Sequence, residues 1–189
     1  MKLTSTRFHH GRSIPKPFTG EGADISPPLE WSEAPEGTRS FALICGDPDA
    51  PVHRHEQDHP FVHWLIYGIS PATSALPEGL PPAESITTPI SAQQGRNSFG
   101  SMGYRGPMPP LDHGPHRYVF TLYALDADLG LRGGATKREL LAAMRGHIIA
   151  IAGLKGIYER GALRYDFNGT TGKISGSRKR PGLESRPSP

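Results

Sequence analysis

Phe41-Ala42-Leu43-Ile44-Cys45 and Val62-His63-Trp64-Leu65-Ile66-Tyr67-Gly68-Ile69 are two apolar runs, and Asp47-Pro48-Asp49-Ala50-Pro51 begins the segment between them. Short apolar runs bounded by turn residues predict buried β-strands rather than helices. Asp and Pro in alternation predict a stiff turn between the strands. The joining segment also carries His53, His55 and His59, and His63 follows at the start of the second run. A polar loop held between buried strands is a common position for binding chemistry. An ordinary Pro-rich turn accounts for this segment equally well, so the decision rests with the rest of the chain.

Working outward, Arg117-Tyr-Val-Phe-Thr-Leu-Tyr-Ala-Leu125 is the clearest strand. Tyr118, Phe120, Leu122 and Ala124 share one face, and Val119, Thr121, Tyr123 and Leu125 share the other. Both faces are apolar, which predicts a central strand covered on two sides. Leu3 to Phe8 reads as a short strand, and Ile151 to Arg160 as a turn followed by a last strand. Trp31 is expected to plug the edge of the core. One helix is signalled by the capping box Thr136-Lys-Arg-Glu139. Leu140, Met144 and Ile148, with Leu141 and His147 alongside, continue it as an apolar stripe for packing. Gln93 to Pro110 is dense in Gly and Pro and reads as one long loop; loops of that length in compact domains are more often functional than idle.

The 20 Pro and 23 Gly among 189 residues exclude a helical bundle and favour many short strands. With no βαβ rhythm, the expected fold class is mostly β: an antiparallel β-sandwich with one or two peripheral α-helices. Cys45 is the single cysteine, which rules out an intrachain disulfide and suits a small buried hydrophobe. The net charge of +3 is unevenly placed. From Lys173 onward there are five Lys or Arg and one acid, so the remaining 16 basic and 17 acidic residues nearly balance. A nucleic-acid-binding domain would carry its basic excess on a folded face, and no nucleic-acid partner is expected. The expected organisation is a folded domain over 1–165 and a disordered basic tail over 166–189. Neither a signal peptide nor a membrane span is apparent, so the expectation is a cytoplasmic protein with no stable membrane insertion.

Three chemistries compete for the polar residues. The histidines at 53, 55, 59 and 63, with Asp47 or Asp58, could ligate zinc, but their spacing is not one of the tight zinc signatures. Hydrolysis by a Ser nucleophile lacks the Gly-x-Ser-x-Gly elbow, and no phosphate-cradling Gly-rich motif is present. The third is an anion pocket. His63 opens one strand, while His116 and Tyr118 point to the same side of another. Two imidazoles and a phenol can donate hydrogen bonds to phosphoryl oxygens. Asp47 could orient one imidazole, and its charge suits a ligand with a protonated oxygen or a nearby cation.

Asp47-Pro-Asp-Ala-Pro51, then His63-Trp64, then Pro109-Pro110 followed by His116-Arg117-Tyr118, resemble the phosphatidylethanolamine-binding proteins, in particular the bacterial, Raf-kinase-inhibitor-like branch. Asp24-Ile-Ser-Pro-Pro-Leu-Glu-Trp31 and Gly153-Leu-Lys-Gly-Ile-Tyr158 fit the same branch, and the likeness covers residues 1–160. The resemblance implies a β-sandwich with a small anion pocket at one end. Asp47, His63, His116 and Tyr118 would line it, Pro109 and Pro110 would form its rim, and Asp49, Pro51 and Met108 would support it. It implies a small phosphorylated ligand or anion, no cofactor, no metal and no catalytic residue. Eukaryotic relatives inhibit kinases or act as signalling scaffolds, and bacterial relatives suggest a homodimer. The chain departs from eukaryotic members at Met108, where they often have Gly, and in ending on a basic tail rather than a C-terminal helix near the pocket. A hydrolase or zinc-dependent enzyme built on His63, His116 and Asp47 is the rival reading.

Overall fold

The computed structural model describes residues 1–51 and 60–161, together with the backbone of 164–165 and 171–172. Strands dominate, as the composition requires. In chain order they are β1 (Lys2–Thr4), β2 (Arg12–Ser13), β3 (Leu29–Ser32), β4 (Ser40–Asp47), β5 (Phe61–Ile69), β6 (Ala75–Leu76), β7 (Ser85–Ile86), β8 (Ala92–Gln94), β9 (His116–Leu125), β10 (Ile148–Tyr158), β11 (Arg164–Tyr165) and β12 (Thr171–Gly172). One 3-10 turn, Lys16–Phe18, and one α-helix, α1 (Lys137–Met144), complete the described elements.

The main sheet has seven strands in the order β2-β10-β9-β4-β5-β8-β7, and a smaller sheet has the order β1-β3-β6. Pairing is antiparallel except between β10 and β2, which run parallel. The fold is therefore the mostly β sandwich expected, with a single peripheral α-helix among the described residues. The core follows from the two-residue period of the strands. Tyr118, Phe120, Leu122 and Ala124 face the smaller sheet and pack with Leu3, Trp31, Phe41 and Trp64. Leu125 and Tyr123 face the other way, onto Leu140 and Met144 of α1 and Ala42, Ile44 and Leu65 of the sheet. Strand β9 is paired with β4 on one side and β10 on the other, so it is central and covered on both faces.

Four local expectations change. The first strand stops at Thr4 because the Ser5 hydroxyl donates to Pro28 C=O at 2.7 Å and accepts from Arg7 N–H at 3.2 Å, which turns the chain. The helix forms its capping box but ends at Met144. Gly146 adopts φ +83, a left-handed conformation that terminates the helix. Ile148 therefore opens β10 instead of extending the helical stripe, and β10 runs unbroken to Tyr158 without the preceding turn. Within the expected loop 93–110, Gln94 lies on strand β8. Its side-chain amide donates to Pro81 and Ala83 carbonyls and accepts from Trp64 Nε1–H at 2.7 Å, which fixes a strand where Gly and Pro signalled none. The tail expected over 166–189 lies outside the described residues except for Thr171–Gly172, whose backbone pairs with Arg164–Tyr165. Among the described residues, no helix is long and apolar enough to cross a membrane.

Candidate functional site

Strands β5, β4 and β9 are neighbours in the main sheet, and the polar residues gather at one end of all three. Asp47 is the last residue of β4, His63 the third of β5, and His116 the first of β9. The β4–β5 register shifts between Cys45 and Gly46, just before Asp47. Asp47, His63, His116 and Tyr118 are at most 3% exposed. Four buried polar groups at one sheet end must find partners or face a ligand.

Asp47 is the hub of that group. Its Oδ2 accepts from His116 Nδ1–H at 2.7 Å, and its Oδ1 accepts from the backbone N–H of Asp49 at 2.8 Å. The second bond is the local turn chemistry of an Asp side chain and folds the Pro48–Pro51 segment back on itself. Asp49 then ties that segment to β9. It accepts from Arg117 Nε at 2.8 Å, from Arg117 Nη2 at 2.6 Å and from Arg117 backbone N–H at 2.8 Å. The guanidinium fork holds the Asp49 carboxyl down to about 2. Burial and the Asp47 carboxylate push the Tyr118 phenol well up, so it stays a hydrogen-bond donor. Cys45 is buried and its thiol is pushed up by desolvation, which suits packing and not nucleophilicity.

His63 forms the opposite wall. Its Nδ1–H donates to Arg105 C=O at 2.6 Å, which fixes the tautomer and leaves Nε2 without a proton in the neutral ring. Burial lowers its pKa below the ordinary imidazole value, outweighing the attraction of Asp47 and Asp24. The ring packs edge-on against Tyr118 at 5.0 Å and Phe99 at 5.4 Å, with Phe61 also at 5.4 Å. Arg105 caps this cluster from outside, its guanidinium 5.3 Å from the Phe99 ring centre.

These walls enclose a cavity of about 200 Å³. Its floor is Asp47, His63, His116 and Tyr118; Ala50, Pro51 and Phe61 line one side, and Phe99, Met108, Pro109 and Pro110 the mouth. It is smaller than the roughly 300–1,000 Å³ of drug-sized sites, so it suits a small head group. Two larger clefts exist, of about 520 and about 610 Å³, but their buried polar groups are satisfied internally. Ser5 Oγ is bound to Pro28 C=O in the first; in the second, Tyr104 O–H is bound to Phe18 C=O and Ser26 Oγ to Leu80 N–H.

The profile of the family described as phosphatidylethanolamine-binding protein matches residues 4–159. The chain belongs to this family. It is 44% identical over 160 residues to a UPF0098 protein of Pyrococcus horikoshii, covering 85% of this chain and 77% of that one. Among solved structures, a putative phosphatidylethanolamine-binding protein homolog of Chlamydia trachomatis is 45% identical with a TM-score of 0.74, covering 84% of this chain and 97% of that one. Escherichia coli YbcL, described as a new member of the mammalian family, is 31% identical with a TM-score of 0.75 and coverages of 84% and 98%. The family assignment made from the three sequence motifs therefore holds.

The structure brings Asp47, Pro51, His63, Met108, Pro109, Pro110, His116 and Tyr118 to the walls of one cavity. Asp49 is not a wall residue; it braces the loop that carries Asp47. Sequence reasoning missed Phe61, Phe99 and His113. Phe61 was within reach, since it lies two residues before His63 and so on the same strand face. Phe99 arrives through a long loop, and His113 through the turn that precedes β9, where no periodicity applies. The zinc reading depends on His53, His55, Asp58 and His59, which lie outside the described residues. Among the described residues, no cluster of three or more His, Cys, Asp or Glu side chains could hold a metal ion.

Proposed function

We propose that this protein is a non-catalytic binding protein whose pocket holds a small phosphoryl anion. The observation that carries the reading is the convergence of Asp47, His63, His116 and Tyr118, all buried, on one small cavity with an apolar mouth. His63 Nε2 faces a ligand as an acceptor when neutral and as a donor when protonated, and Tyr118 O–H is a donor. With Asp47 adding negative charge, the pocket favours a monoanion over a dianion: a protonated phosphoryl oxygen can donate to His63 while another accepts from Tyr118. The rim of Phe99, Met108, Pro109 and Pro110 suits an apolar substituent beyond the phosphoryl group.

Binding is favoured over hydrolysis because, among the described residues, no Ser, Thr or Cys side chain lines the cavity. A cytoplasmic, kinase-inhibitor-like or signalling role is the form that this binding takes in the reading carried over from the family. The test is a phosphate titration of the full chain, followed through the imidazole ¹⁵N signals. Saturable shifts at His63 and His116 at millimolar phosphate support the reading; unmoved signals at both rings overturn it.

A further inference from the structure

His116 has two ring nitrogens, and both are taken. Nδ1 is committed to Asp47 at 2.7 Å, and Nε2 lies 2.7 Å from Nδ1 of His113. Each ring nitrogen forms one such bond, as donor or as acceptor. A direct contact of 2.7 Å leaves no space for a ligand atom between the two rings. Whichever histidine carries the shared proton, His116 has no site left for a third partner while His113 is seated. Yet His116 is a wall of the cavity and His113 is not.

The two histidines differ in how they are held. His116 is 1% exposed at the start of a central strand. His113 is exposed, in a turn between Pro110 and β9. Its neighbour Asp112 has φ +61 and Gly114 has φ +85, so the backbone doubles back on each side of it. Its own N–H reaches Pro110 C=O at 3.4 Å, a long bond. Besides the Nδ1 contact, its ring meets His116 in a tilted stack with centres 4.9 Å apart. An exposed side chain held on one side can leave by rotating about its own bonds; His116 cannot.

We infer that His113 is a specificity-determining residue of this site, occupying on His116 Nε2 the position that a phosphoryl oxygen takes when it binds. The inference rests on the phosphoryl reading above. Its selectivity follows from the relative strength of the competing bonds. With Nδ1–H committed to Asp47, Nε2 of the neutral His116 ring is an acceptor. A phosphoryl monoanion brings the missing proton: passed from P–O–H to Nε2, it leaves an imidazolium N–H donating to an ionised oxygen, a bond about twice as strong as one between neutral groups. An anionic oxygen therefore outcompetes the His113 imidazole, whereas a neutral amide, alcohol or water does no better than the group already there. His113 thus keeps His116 satisfied in the empty pocket and raises the threshold for neutral ligands.

The test uses the full chain, with inorganic phosphate as the probe, in the wild type, His113→Ala and His113→Asn. Asparagine places an amide near the position of the imidazole Nδ1 and can still bond His116, whereas alanine cannot. His113→Ala is expected to bind phosphate roughly two- to tenfold tighter, the range set by removing one competing neutral bond. His113→Asn is expected to bind like the wild type. In the wild type, the His113 ring signals should become those of a free imidazole as phosphate saturates. Equal or weaker phosphate binding by His113→Ala overturns the inference, as do His113 ring signals that stay fixed at saturation, while the phosphoryl reading survives. Phosphate that moves neither His63 nor His116 in any of the three proteins overturns both.

Discussion

The floor of the pocket and its rim are built on opposite plans. On the floor, Asp47, His63, His116 and Tyr118 sit on three adjacent strand ends and are almost wholly buried. Asp47 and one nitrogen of each imidazole are fixed by bonds of 2.6–2.8 Å. At the rim, Phe99 and Met108 are each close to half exposed, on loops outside the strands. A floor with locked orientations presents one arrangement of donors and acceptors and incurs little ordering cost on binding. A rim of half-exposed apolar side chains can adapt to different substituents. The contrast assigns chemical selectivity to the floor and tolerance of the ligand's remainder to the mouth.

The largest expected effect breaks the floor at its hub. Asp47→Ala strands His116 Nδ1–H in a buried site and frees the Asp49 turn, so it should cost about 3 kcal/mol of stability, read by urea unfolding, and abolish phosphate binding. His116→Ala should spare more of the fold. It should weaken phosphate binding about tenfold to hundredfold, the worth of one charge-assisted bond, as read by calorimetry. Next comes pH. Burial lowers the His63 pKa in the folded chain. As pH falls below the ordinary value of about 6.5, the unfolded chain takes up the proton first, so stability declines through that window until the folded value is passed. His63→Asn, which can keep a donor on Arg105 C=O, should flatten that part of the urea-midpoint profile. Asp49 acts at a lower pH. Its contribution is present above the ordinary carboxylate value of about 3.9 and is lost as pH falls through about 2. Asp49→Asn should remove that acid-dependent part. The smallest effect belongs to the rim: Phe99→Ala loses edge-on contacts with Phe61 and His63, should cost about 0.5–1.5 kcal/mol of stability, and should act on the affinity for aryl phosphates rather than for phosphate itself.

The same contrast governs what the sequence could reveal. The floor was legible because strands have a period of two. His116 and Tyr118 had to share a face, and apolar runs on both sides of Asp47 and His63 marked strand ends. The sandwich and the central place of β9 followed from the same rule, since both faces of that strand are apolar. What escaped lay where no period operates. Phe99 reaches the pocket, and His113 reaches His116, through turns set by left-handed residues and side-chain bonds. Strand β8 exists because Gln94 is held by three distant partners. The helix ended at Met144 rather than continuing to Ile148 because Gly146 adopted the conformation that stops it, which the apolar spacing alone could not indicate.

The central claim is that one phosphoryl group sits between the two buried imidazole walls. A crystal structure of the full chain grown with phosphate tests it most directly. The account predicts tetrahedral density within hydrogen-bond reach of His63 Nε2 and the Tyr118 hydroxyl, lying against the His116 ring. A pocket holding only water at millimolar phosphate, or an anion bound elsewhere and touching neither ring, would contradict it.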